Sequence, residues 1–63
     1  MKLHEYLKEV SPEMTIRVDN GEGSIFFYGS AGEITESNKY LNAEVIDHVY
    51  GKFGHDILYI SIA

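Results

Sequence analysis

The last stretch of the chain, residues 57–63 with the sequence ILYISIA, constrains the fold more than any other feature. Leu58, Ile60 and Ile62 alternate with other positions, which is the period-2 pattern of a β-strand with one strongly apolar face. The stretch contains neither Pro nor Lys, the residues that commonly keep a strand edge from pairing with another chain. Such a strand must lie in the middle of a sheet, or a second chain must cover it.

Only one small core can form around such a strand. The chain has 63 residues, of which 44% are hydrophobic and 24% charged, with one Pro and no Cys. This composition is typical of a folded domain, and the length predicts a single small domain over residues 1–63. Rossmann, TIM-barrel and kinase units are far longer and are excluded. Because disulfides and thiolate metal sites are impossible without Cys, the domain depends on a partner chain or on very good packing.

The first ten residues predict an amphipathic helix. In KLHEYLKEV the apolar side chains of Leu3, Tyr6, Leu7 and Val10 recur at the spacing of one helical face. The Ser-Pro pair that follows ends the helix, because the residue before Pro disfavours helical backbone. A helix of this length is marginal alone, so it must pack against the rest of the domain.

A β-hairpin is predicted next. The segment MTIRV alternates between apolar and polar residues, and the following DNGEG is a dense turn signal. The segment SIFFYG then forms the second strand. Strict alternation places Ile25 and Phe27 on one face of it and Phe26 and Tyr28 on the other, so that both faces carry apolar bulk.

The second half of the chain predicts a short helix and another hairpin. Residues 33–42 form a short helical segment that Thr35 or Ser37 caps. Residues 44–50, EVIDHVY, suit a helix or a strand, but the Gly-Lys-Phe-Gly turn after them favours a strand paired with ILYISI. The predicted fold is an α+β domain: a small, mainly antiparallel sheet of about four strands in two hairpins, with an N-terminal helix and a short middle helix.

The charge balance disfavours several classes of partner. Ten acidic residues against five Lys and Arg give a net charge of −5. Direct nucleic-acid binding relies on Lys and Arg at phosphates, so it is not predicted. No apolar run approaches the roughly 18 residues of a membrane span, and no signal-peptide pattern follows the first Lys. We therefore expect a cytoplasmic protein without membrane contacts.

Two histidines form the one candidate ligand site in the sequence. If residues 51–54 make a four-residue loop, His48 lies opposite Ile57, and His48 and His55 are diagonal neighbours on one face. Asp47 and Asp56 then point to the opposite face, which leaves the three to four ligands of a zinc site incomplete. No metal or cofactor is predicted, although a small-ligand or metal binder using His48 and His55 remains an alternative.

Catalytic patterns do not emerge from the remaining residues. The carboxylates are dispersed along the chain, and so small a core cannot easily enclose a cleft that separates their pKa values. The glycine-containing segments GEG and GSAG lack the spacing and the Lys of a phosphate-binding loop. The sequence therefore predicts that the protein is not an enzyme.

The aromatic residues indicate the function best. They exceed what one inner face of a small sheet can bury, and exposed aromatic patches commonly mark protein contacts. The predicted interaction surface consists of Tyr28, Tyr50, Phe53, Tyr59 and Ile57. A homodimer would cover both this surface and the terminal strand. Two alternatives stay open: single-strand nucleic-acid binding on the tyrosines, and an acidic mimic of nucleic acid that inhibits a DNA-binding protein.

The order of elements resembles that of short acidic proteins from phages and prophages of Gram-positive bacteria. The matching segments are KLHEYL at 2–7, TIRVDNG at 15–21, IFFYG at 25–29, and the closing pair EVIDHV and ILYISI. The resemblance spans most of the chain, but it is a pattern of apolar positions without a catalytic motif. It implies a phage or prophage accessory protein of unassigned function that contacts a host or phage protein, and it carries over no site residue.

Overall fold

A computed structural model describes residues 1–34 and 39–63 of the chain. These residues form one α-helix and four strands: α1 (Leu3–Leu7), β1 (Thr15–Asp19), β2 (Ile25–Ser30), β3 (Val45–Tyr50) and β4 (Leu58–Ile62). The strands make one sheet in the order β2-β1-β4-β3. Short 3-10 turns lie at Ala31–Glu33, Lys39–Asn42 and Lys52–Gly54.

The α+β class with four strands and an N-terminal helix is confirmed, but the sheet is mixed. The pairs β1–β2 and β3–β4 are antiparallel, as two hairpins require. The hairpins join through β1 and β4, which run parallel with Ile16 opposite Leu58. The prediction of a mainly antiparallel sheet therefore fails for the central pair of strands, which is parallel. Alternation of side chains is the same in both kinds of pairing, so it carries no information on how two hairpins dock.

The terminal strand β4 lies inside the sheet, with β1 on one side and β3 on the other. Of the two solutions that the sequence allows for this apolar strand, the chain therefore uses the internal one. The two edges of the sheet are β2 and β3. A second chain is not needed to protect β4, and any argument for self-association has to rest on another surface.

One face of the sheet carries the core and is covered by α1. The fully buried side chains include Leu3 from the helix, Ile16 and Val18 from β1, and Ile60 from β4. Tyr6, Leu7 and Val10 pack against this cluster while staying partly exposed. The predicted apolar faces of the helix and of both central strands are thus confirmed.

Both predicted helices are shorter in the structure. After Leu7 the backbone tightens into bonds three residues apart, such as Val10 N to Leu7 O at 3.1 Å, so α1 spans five residues instead of nine. The predicted middle helix over 33–42 is wrong in the described part of the chain, where only 3-10 turns occur. The predicted caps at Thr35 and Ser37 fall outside the described residues.

A β-bulge changes the faces of β2. Val18 pairs with Phe27, but Asp19 pairs with Ile25, so Phe26 is an extra residue in this strand. A bulge shifts the alternation by one position. As a result Phe26 and Phe27 both pack against the core, and Phe26 stacks on Tyr40 with ring centroids 4.4 Å apart. The prediction that Ile25 shares a face with Phe27 is wrong for the same reason.

Candidate interaction surface

The face of the sheet opposite α1 carries a continuous row with one residue from each strand. Arg17 lies opposite both Tyr28 and Tyr59, and Tyr59 lies opposite Val49. We call Tyr28, Arg17, Tyr59 and Val49 the aromatic row. Tyr28 is 60% exposed and Val49 is 42% exposed. No α-helix in the described part of the chain covers this side, which we call the open face.

A second row lies beside the first on the open face. Asp19 is opposite Ile25 on β2 and Ser61 on β4, and Ser61 is opposite Asp47 on β3. We call Ile25, Asp19, Ser61 and Asp47 the acidic row. Ser61 Oγ donates a hydrogen bond to Asp19 Oδ1 at 2.8 Å, and the backbone N–H of Gly21 donates to the same oxygen at 2.8 Å. These bonds hold the Asp19 carboxylate in place at the turn of the first hairpin.

Two cations lie against the ring of Tyr59. The guanidinium carbon of Arg17 is 5.4 Å from the ring centroid, and Lys52 Nζ is 5.8 Å from it. Arg17 Nε is also 3.9 Å from Asp19 Oδ2, an ion pair that links the two rows. Because ring faces are negative and attract cations, both contacts stabilise the position of the Tyr59 ring. Arg17 and Tyr59, the two central members of the aromatic row, therefore hold each other in place.

Phe53 lies in the turn between β3 and β4 and extends the open face beyond the end of β3. Its backbone has φ +60°, the single positive value outside glycine among the described residues. Its side chain is 78% exposed, and Lys52 Nζ lies 5.3 Å from its ring centroid. A large side chain in the left-handed region costs free energy that burial does not offset here. Strain combined with exposure of this kind is characteristic of contact sites.

The structure divides the predicted interaction residues between two sides of the sheet. Tyr28 and Tyr59 lie together in the aromatic row, and Phe53 adjoins them through Lys52. Ile57 is half-buried just before β4. Tyr50 lies opposite the core residue Leu58, hence on the helix side.

Three residues in or against the aromatic row are absent from the predicted set: Arg17, Val49 and Lys52. Arg17 occupies an outward position between two buried residues of β1, which the alternation of MTIRV already indicates. Its contact with Tyr59 depends on the parallel pairing of β1 and β4, and that pairing leaves no pattern in the sequence. Only the strand order brings Arg17 and Tyr59 together.

The predicted diagonal pair of histidines is wrong in its register. His48 lies opposite Ile60, three positions further along β4 than the four-residue loop implied. Its ring instead contacts the ring of Tyr6 on α1, with centroids 4.9 Å apart. Burial and the nearby Glu9 carboxylate raise the pKa of Tyr6, so this hydroxyl stays protonated at neutral pH. In residues 1–34 and 39–63 no three potential metal ligands come together.

Comparisons with known proteins do not assign a function to this chain. Among the described helices, none is long and apolar enough to cross a membrane. Comparison with protein families, with curated proteins and with solved structures finds no match to this chain. The functional argument therefore rests on the geometry of the open face.

Proposed function

We propose that the protein is a non-enzymatic interaction module that binds another protein chain through the open face. The observation that carries this proposal is the aromatic row, which runs across all four strands on a side that no described α-helix covers. Tyr side chains suit protein contacts because each offers a large apolar area and a hydroxyl for hydrogen bonding. A monomeric protein gains no stability from leaving such a row in water.

The charges of the open face favour a protein over a nucleic acid. Stacking of bases on sheet aromatics requires a basic groove that follows the phosphates. On the open face Arg17 and Lys52 are matched by Asp19 and Asp47, so the surface is close to neutral. The chain as a whole carries −5, which repels phosphates further.

The acidic side chains of the open face also have structural partners. Asp19 accepts hydrogen bonds from Gly21 and Ser61, and Asp47 accepts one from the backbone N–H of His48 at 2.9 Å. These carboxylates fix a turn and a strand edge, which suits a binding surface better than acid–base chemistry. The resemblance to phage and prophage proteins fits a cytoplasmic accessory factor whose partner is a host protein, a phage protein or a further copy of the chain.

Site-specific photocrosslinking tests this proposal. A benzophenone amino acid replaces Tyr28 on the open face or, as the matched control, Tyr50, which is similarly exposed but on the helix side. Irradiation of bacteria that produce either variant should give a protein adduct from position 28 and little or none from position 50. An adduct with an oligonucleotide, equal adducts from both positions, or none from position 28 would contradict the proposal.

A further inference from the structure

We infer that the chain bound by the open face is a second copy of this protein, packed face to face around a two-fold axis. The inference rests on the proposed function and identifies its partner. It concerns the open face alone, because the terminal strand β4 is already enclosed between β1 and β3. Three features of the structure support a second copy: the distribution of charge, the arrangement of the two rows, and the size of the face.

The distribution of charge makes the open face the favourable place for two copies to meet. Around the aromatic row, Arg17 and Lys52 balance Asp19 and Asp47. The other described residues carry three basic and seven acidic side chains. Two copies therefore repel each other when they approach through most other surfaces. On the open face the charges balance, so this repulsion is small, and Ile25, Tyr28 and Val49 are exposed there.

The arrangement of the rows is self-complementary. The aromatic row contains the cation Arg17, and the neighbouring acidic row contains Asp19 and Asp47. A two-fold axis that runs along the rows, midway between them, places each aromatic row over the acidic row of the other copy. Arg17 of one copy then lies over Asp19 of the other, and Tyr28 lies over Ile25. Sheets in such sandwiches pack about 10 Å apart, a distance that tyrosine side chains fill.

The size of the face predicts a dimer of folded monomers with moderate affinity. The two longest dimensions of the chain are 30 and 25 Å, so an elliptical contact with these axes covers about 600 Å² on each copy. The total of about 1,200 Å² lies at the lower end of specific interfaces. The accessible surface of 4108 Å² matches the roughly 4,100 Å² expected for a compact 7.1 kDa monomer. Interfaces at the lower end of the size range include weak, transient encounters, so we expect the dimer to dissociate on dilution with a folded chain on both sides of the equilibrium.

Sedimentation equilibrium from about 10 µM to about 1 mM, with circular dichroism on the same samples, tests the dimer. The mass should rise from one to two chains while the spectrum stays unchanged. Tyr28→Asp should weaken dimerisation at least tenfold, because it places a charge against the apolar side chain of Ile25 in the other copy. Tyr50→Asp, at a position of similar exposure on the helix side, should leave the dimer intact.

The outcomes separate this inference from the proposed function. If the wild-type chain remains a monomer at 1 mM, the second copy is not the partner and this inference is overturned. In that case a photocrosslinked adduct between position 28 and a different protein would still support the proposed function. A dimer that Tyr50→Asp disrupts as strongly as Tyr28→Asp overturns the assignment to the open face. Circular dichroism of both variants excludes loss of folding as the cause.

Isotope-filtered NOE spectra of a mixed dimer test the two-fold arrangement itself. One copy carries ¹³C and the other does not, so cross-peaks arise only between copies. The arrangement predicts contacts between the Tyr28 ring of one copy and the Ile25 methyl groups of the other. If the contacts between copies involve Ile46 at the β3 edge, or residues on the α1 side of the sheet, the proposed two-fold arrangement is overturned.

Discussion

The two faces of the sheet use the same four strands for opposite purposes. On the covered face, Ile16, Val18 and Ile60 are fully buried beneath α1 and the segment that follows β2. On the open face, the residues that alternate with them form the aromatic row and the acidic row, and Tyr28 is still 60% exposed. The comparison teaches that one short helix, together with side chains such as Ala31 and Leu41, suffices to bury one face of a four-stranded sheet. The second face has no such cover among the described residues, and it is the surface that we propose for contact with another chain.

The largest expected difference between the faces is in stability. Ile60→Ala on the covered face should lower the free energy of unfolding by about 3 kcal/mol, because it leaves a cavity in a fully buried site. The same change at Ile25, which is 52% exposed on the open face, should cost less than about 1 kcal/mol. Urea unfolding of both variants measures the two values, and equal losses would refute the division into two faces.

The centre of the open face should matter more for association than for folding. Tyr59→Leu keeps apolar volume but removes the ring that contacts Arg17 and Lys52. We expect a loss of about 1 kcal/mol in unfolding free energy, the size of one or two exposed cation–π contacts. The proposed dimer should weaken by at least tenfold, which sedimentation equilibrium measures. A variant that dimerises normally would remove Tyr59 from the interface.

Phe53 should show opposite effects on stability and on association. Phe53→Gly removes a side chain from a backbone with φ +60°, which relieves about 1 kcal/mol of strain. We expect a net gain in unfolding free energy of about 0.5 kcal/mol, since glycine also increases the entropy of the unfolded chain. The dimer should become weaker because an exposed aromatic contact is lost. Thermal unfolding at a dilution where only monomer is present isolates the first effect.

The smallest expected effect concerns acid stability on the covered side. The backbone N–H of Lys2 donates to Glu5 Oε1 at 2.9 Å, and this bond holds the pKa of Glu5 below its ordinary value of 4.5. A lowered pKa contributes stability above about pH 4.5, and the contribution is lost as the pH falls through the lowered value. Glu5→Gln should therefore be less stable than wild type at pH 6, with the gap closing at lower pH. Urea unfolding at several pH values measures the difference in unfolding free energy between the two proteins. A difference that does not change with pH would mean that the hydrogen bond to Glu5 is unimportant.

Local patterns predicted the four strands, the N-terminal helix and the buried faces of the central strands, but not the short 3-10 turns that replace the predicted middle helix in the described residues. The alternation of Leu58, Ile60 and Ile62 identified a strand with one buried side, and Ile16 and Val18 did the same for β1. These predictions hold because alternation is a property of a strand itself and does not depend on its neighbours. The bulge at Phe26 escaped prediction, since an extra residue is defined only by the strand that it faces.

The interaction surface was predicted only in part for the same physical reason. Exposed aromatics indicated a contact surface, and Tyr28, Tyr59 and Phe53 do meet on or beside one face. Tyr50 was included with the other aromatic residues on the assumption of a four-residue loop at 51–54; the observed pairing with Leu58 turns it to the helix side. A shift of register changes which residues share a face, and the register of this hairpin depends on a turn geometry, with Phe53 at positive φ, that the sequence did not reveal.

The sequence by itself determined a small α+β domain with an N-terminal helix, two hairpins and a surplus of aromatic side chains. Tertiary structure alone decided that β1 and β4 pair in parallel, that the terminal strand lies inside the sheet, and that Arg17 contacts Tyr59. The reason is that helix and strand periodicities are encoded within a few neighbouring residues. Strand order depends on the burial of the whole apolar surface at once, which no local segment specifies.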